Sequence, residues 1–170
     1  MAGYHLAQLN LARLRAPLES PELADFVARL PEINDLAERS PGYVWRLQDS
    51  SGDATALRPF EPDVIVNLTV WESVESLHAF TYRSGHLEPM RRRRDWFRTF
   101  GGPHQVLWWI PAGTLPTVTE AGDRLALLTR LGPSPEAFTF REPHPAPGPT
   151  INPTPDDQAV DPAVAGQPRA

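Results

Sequence analysis

The sequence predicts an α+β domain of the split βαβ, ferredoxin-like kind, with a β-α-β-β-α-β order and an extra C-terminal helix. Three observations carry this. Four segments have strand character, and the two outer gaps between them hold helical spacing. The middle gap, Asp49 to Pro62, is polar and rich in turn residues, so it reads as a long hairpin loop rather than a crossover. The apolar fraction of 41% over 170 residues is enough for one domain with a real core.

The first strand spans Tyr4 to Leu11. Period-two alternation puts Ala7, Leu9 and Leu11 on one face and Leu6, Gln8 and Asn10 on the other. Ser20-Pro21 is a helix start, an N-cap followed by proline in the first turn. Leu23, Phe26, Val27, Leu30, Ile33 and Ala37 then follow helical spacing, and Pro31 is expected to kink or break the helix. Pro41-Gly42 ends it. The second strand is Tyr43 to Gln48.

The third strand runs from Val64 to Trp71. Val64, Val66, Leu68 and Val70 share one face; Ile65, Asn67, Thr69 and Trp71 share the other. Ser73 caps a short helix to about Tyr82, and Ser84-Gly85 breaks it. A further helix starts near His86, with Pro89 in its first turn, and is expected to reach Gly101-Gly102. His104 to Ile110 is the fourth strand, apolar on both faces. Thr117-Val-Thr-Glu120 is a capping box that opens a final helix to about Leu131, stopped by Gly132-Pro133. Domain boundaries follow: residues 1–142 form the body. Residues 143–170 form a tail that holds eight of the 20 prolines and is read as disordered or extended.

Composition narrows the chemistry. There is no cysteine, so disulfides, thiolate catalysis and Cys-ligated metals are out. All 16 basic residues are arginine, so a lysine Schiff base and a P-loop lysine are out too. No His-x-x-x-His or mixed His/carboxylate spacing points to a metal site. The net charge of −5 argues against nucleic acid as a partner. Met1-Ala-Gly-Tyr-His lacks a charged stretch followed by an apolar run, and no segment approaches the ~18 apolar residues of a membrane span. A cytoplasmic protein with no membrane partner is the expectation.

The polar residues of the sheet are the best functional lead. One face carries Gln8, Asn10, Asn67, Thr69 and Trp71, and such a face needs a cover. In this architecture the usual cover is a second copy, which gives a dimeric α/β barrel. Asn67 either serves as a satisfied structural amide, bonded to Gln8 or Asn10, or donates to a substrate carbonyl. His86 either caps its turn or acts as general acid–base, with Tyr82 four residues earlier. His86, Pro89, Arg93 and Trp96 share a helix face. Arg91 to Arg94 fill a whole turn, so they cannot all point one way. Arg93 is the one on the His86 side, suited to a substrate carboxylate or phosphate or to a buried ion pair. Arg46 is a further arginine of the same kind.

The run Val70-Trp71-Glu72-Ser73-Val74-Glu75-Ser76-Leu77 resembles the third-strand end of antibiotic-biosynthesis monooxygenases in the dimeric α/β-barrel superfamily. More closely, residues 4–140 are similar to an uncharacterised domain-of-unknown-function family within that superfamily, common in actinobacteria. The similarity is carried by His5–Asn10, Ser40–Leu47, Tyr82–His86, Arg93-Arg94-Asp95-Trp96-Phe97 and Trp108-Trp109. By motif position it implies pocket roles for Asn67, Trp71 and His86; the arginine-rich helix departs from the monooxygenase pattern.

The resulting expectation is a homodimeric small-molecule enzyme of secondary metabolism, a cofactor-independent monooxygenase acting on an aromatic or polyketide-type substrate. Its pocket would lie between the sheet and the helices from Ser73 to Phe100. His86, Asn67 and Tyr82 are the catalytic candidates. Trp71, Trp96, Arg93, Arg46, Gln8 and Asn10 are the substrate-binding candidates. Alternatives are a cyclase or isomerase, and a non-catalytic binding protein, including one that holds haem through His86, because related barrels hold haem.

Overall fold

The structure, a computed structural model, describes residues 3–84 and 87–148. The elements in order are β1 (Tyr4–Leu14), a 3-10 turn (Pro21–Leu23), α1 (Ala24–Glu38), β2 (Tyr43–Arg46), β3 (Val64–Trp71), α2 (Val74–Arg83), α3 (Leu87–Trp96), β4 (Phe97–Arg98), β5 (Gln105–Pro111) and α4 (Val118–Leu131). The sheet is antiparallel, ordered β2–β3–β1, with β5 and the two-residue β4 sharing the far edge of β1. This is the ferredoxin-like order that the sequence predicts.

Several local expectations hold. Ser73 accepts the Ser76 amide at 3.1 Å and Thr117 accepts the Glu120 amide at 3.1 Å, so α2 and α4 start at capping side chains. Gly132 (φ 76°) ends α4. Other boundaries differ. Ser20 caps no α-helix: its hydroxyl donates to the Pro17 carbonyl at 2.6 Å, beside the 3-10 turn. α1 runs through Pro31, which sits on its exposed side, because the apolar residues on the other side hold the helix to the sheet. α3 ends at Trp96 rather than at the glycines, because Phe97 and Arg98 pair with Leu14 and Arg13 of β1.

The largest departure concerns which sheet face the helices take. The apolar face (Ala7, Leu9, Leu11, Val64, Val66, Leu68, Val70, Val106, Trp108, Ile110) is not left to hold helices α1–α3. It is covered by α4, through Ala121, Leu125 and Leu128, and by Ala54, Leu57 and Phe60 of the long loop. The polar face therefore lies under α1, α2 and α3, and the same chain supplies both covers. The reason is energetic: an uncovered apolar face forfeits ~25 cal/mol per Å² of surface left in water, whereas a polar face does not.

Beneath α1–α3 the core splits in two. One cluster holds Leu6, Trp71, Leu77, Leu107 and Phe138; the other holds Leu14, Leu23 and Trp96 with Phe26 and Ile65. The polar rows of the sheet lie between them. After α4 the chain returns along β5. Phe138 exchanges two backbone hydrogen bonds with Leu107 (2.8 and 2.9 Å), and the His144 carbonyl accepts from the Trp109 indole at 2.8 Å. Among the described residues no helix is long and apolar enough to cross a membrane.

Candidate functional site

Register builds the floor of the site. On the helix-bearing face, Leu6 lies opposite Trp71, Gln8 opposite Thr69, Asn10 opposite Asn67 on one side and Gln105 on the other, and Ala12 opposite Ile65. Rows of large apolar residues thus flank two polar rows. Packing fills the apolar rows and leaves a cleft of about 270 Å³ over the polar ones. Ala12 keeps room on the floor because its side chain is a single methyl. The amides of Gln8, Asn10, Asn67 and Gln105 face this space.

The walls come from the helices. α1 presents Phe26, Arg29, Leu30 and Ile33; α2 presents Phe80, Thr81 and Tyr82; α3 presents Arg93 and Trp96. Trp96 is buried, with its ring 5.6 Å from that of Phe26. Tyr82 is exposed at the rim, its ring 4.7 Å from the His78 ring.

The arginines near the cleft are in different states. Arg29 pairs with Asp25 and with Glu88, tying α1 to α3. Partial desolvation works against its charge, but the hydrogen bonds to Asp25 and Glu88 outweigh that and raise its pKa. Arg92 pairs with the same Asp25 at 2.6 Å and with Asp95 at 3.2 Å, and lies over the Trp96 ring. Arg46 borders the cleft, but its guanidinium is held by Glu38 at 2.8 Å and the Gly52 carbonyl at 2.8 Å. Arg93 is half-buried, lines the cleft, and has no carboxylate partner among the described residues.

The sequence-predicted residues therefore divide. Gln8, Asn10, Asn67, Tyr82, Arg93, Trp96 and Arg46 border one cleft. Asn67 is exposed in it and makes no hydrogen bond to Gln8 or Asn10. Trp71 does not wall the cleft. It is fully buried beyond the floor, stacked on Phe80 at 5.1 Å and edge-on to Tyr43 at 5.6 Å. Burial raises the Tyr43 pKa; nearby Arg46 opposes this and Glu38 adds to it. His86 lies outside the described residues. Among those described, no group of three or more His, Asp or Glu could hold a metal ion.

Gln105, Arg29 and Phe26 are missing from the sequence-derived set. Gln105 shares a face with Leu107 by a period of two alone, but its place level with Asn10 comes from the pairing of β5 with β1. The α1 residues carry helical periodicity, but nothing local says that this helix borders the polar rows.

The family model described as "Domain of unknown function (DUF3291)" matches residues 5–153. No curated protein matches the chain. Among solved structures, the chain is similar to SnoaB, a cofactor-independent oxygenase from Streptomyces nogalater, at 17% identity over 66% of this chain and 98% of that one, with a TM-score of 0.42. It is also similar to NE2512, a protein of unknown function from Nitrosomonas europaea, at 18% identity over 67% and 96% of the two chains, with a TM-score of 0.40.

Proposed function

The chain belongs to the domain-of-unknown-function family DUF3291, and from the cleft it builds we propose a small-molecule enzyme that oxidises an aromatic or polyketide-type substrate without a bound cofactor. The observation that carries this is one cleft with an amide floor, aromatic walls and a single arginine without a partner among the described residues. Trp96 and Phe26 suit a flat ring. The amides suit its oxygens, and Arg93 suits a carboxylate by a two-pronged hydrogen bond. The resemblance of Val70–Leu77 to the monooxygenases supports oxidation as the use of these groups.

In this reading Tyr82 and His86 move the phenolic proton. The deprotonated ring then supplies its own electrons to oxygen. For a naphthol, a C–O bond forms at the ring carbon, the O–O bond breaks as water leaves, and the products are one quinone and one water per oxygen consumed. Floor donors stabilise the negative oxygen throughout. A homodimer completes the reading; with both sheet faces covered in one chain, it would form through outer surfaces.

The test is oxygen uptake with 1-naphthol and its carboxylated derivatives, with quinone followed by absorbance. Arg93→Met is expected to weaken binding of the carboxylated compounds at least tenfold and leave the melting temperature unchanged. Oxygen-independent turnover would favour a cyclase or isomerase. Binding of these compounds without turnover would reduce the protein to a binding module, and a Soret band in the purified protein would replace the cofactor-free reading with haem.

A further inference from the structure

Trp71, Thr69 and Gln8 form a hydrogen-bond chain with one direction. The Trp71 indole N–H donates to Thr69 Oγ1 at 3.0 Å, and the Thr69 hydroxyl donates to Gln8 Oε1 at 2.9 Å. Trp71 is 0%, Thr69 6% and Gln8 6% exposed, so water does not compete for these bonds. The direction follows from the groups themselves. An indole nitrogen only donates, so Thr69 must accept there. Its one hydrogen is then free for Gln8, whose oxygen takes it. The reverse amide orientation would put two N–H groups on one hydroxyl and deprive the buried hydroxyl hydrogen of this acceptor. What remains of Gln8 is its Nε2, which has no hydrogen-bond partner among the described residues and belongs to a side chain that lines the cleft.

We infer that Gln8 is a fixed hydrogen-bond donor of the cleft, held by Trp71 acting through Thr69, and that the substrate places an acceptor oxygen (a carbonyl or phenolate) against it. Asn67 and Asn10 lack such a lock. Each is free to present either end of its amide, whereas Gln8 presents only N–H. The site therefore discriminates oxygen acceptors from groups of similar shape that cannot accept. Trp71, inside the core, is a positioning residue for this specificity.

The inference rests on the small-molecule reading above, and one experiment separates the two. Calorimetric affinities are measured for 9-fluorenone-2-carboxylate, which has a ketone acceptor, and for fluorene-2-carboxylate, which has a methylene in its place. Wild type is expected to prefer the ketone about five- to tenfold, the value of one hydrogen bond. Thr69→Ser, which keeps the hydroxyl, is expected to keep the preference. Gln8→Leu, which removes the donor, is expected to reduce it to about onefold, and Thr69→Val, which leaves the Gln8 amide free to present either end, to lower it to between that and the wild-type value; Gln8→Leu decides the matter if Thr69→Val does not fold. Equal wild-type affinities for the two probes, a preference that survives in Gln8→Leu, or one undiminished in Thr69→Val, would overturn the assignment and leave the cleft reading standing. Failure of both probes to bind wild type would overturn the two together.

Discussion

Thr69→Val removes the middle of the Trp71–Thr69–Gln8 chain at nearly constant shape, so its cost is open to calculation. The Trp71 N–H, on a side chain with no solvent exposure, loses its acceptor; an unsatisfied buried donor costs ~1–3 kcal/mol. The lost bond to Gln8 adds less than ~1 kcal/mol, because Gln8 borders the cleft and can turn to water. A net loss of about 2 kcal/mol follows, a fall in Tm of roughly 4–8 °C for a chain of this size. The sharper quantity is the coupling. In a Trp71→Phe background there is no indole N–H to orphan, so Thr69→Val should cost only about 0.5–1 kcal/mol. Urea denaturation followed by far-UV circular dichroism measures all four corners of this cycle. A coupling below about 0.5 kcal/mol, with Thr69→Val costing the same in both backgrounds, would refute the directional chain.

Three further expectations test the scaffold around the site. Gly42 (φ +81°) lies where an added Cβ would fall 2.5 Å from the Ser76 Cβ; Gly42→Ala should cost more than about 2 kcal/mol. Gly52→Ala, at φ +96° with nothing within 4 Å, should cost only about 1 kcal/mol, and chemical denaturation of the pair separates clash from backbone strain. Pro31 lies inside α1 on its exposed side, so Pro31→Ala should restore a helical hydrogen bond and raise stability by about 1–3 kcal/mol, seen as a higher Tm. Asp49 accepts the Ser51 hydroxyl and then the Ser51 amide, which together hold its pKa below the usual carboxylate value. A depressed folded pKa adds stability above the unfolded value of about 3.9 and loses it as pH falls through the folded one. Asp49→Asn should therefore destabilise at pH 6 and become indistinguishable from wild type in strong acid, as read from urea midpoints at both pH values.

The floor of the cleft was legible because strand alternation is local. Gln8 and Asn10 on one strand, Asn67 and Thr69 on another, fall on one face from a period of two alone, and the pairing then sets them opposite each other. Arg93 was legible for the matching reason in a helix, since a full turn of four arginines can send only some of them inward. What depends on tertiary pairing was not legible. Gln105 joins the floor only because β5 pairs with β1 in a register that sets it opposite Asn10. Arg46 carries the right charge but meets Glu38 from the end of α1.

Trp71 shows how the two kinds of information combine. Its face was read correctly, but its row was not: it lies opposite Leu6, one row beyond the polar floor and under α2, where Leu77 and Phe80 close over it. A side chain that large on a polar face invites the role of a wall. Burial changes the role, because a buried indole must still place its N–H. Thr69, two residues earlier on the same strand face, accepts it and passes the constraint to Gln8. The cover that α1–α3 put over the polar face thus does more than make a cleft. By burying Trp71 it turns a tryptophan two rows from the cleft centre into the group that sets which end of a floor amide the cleft presents.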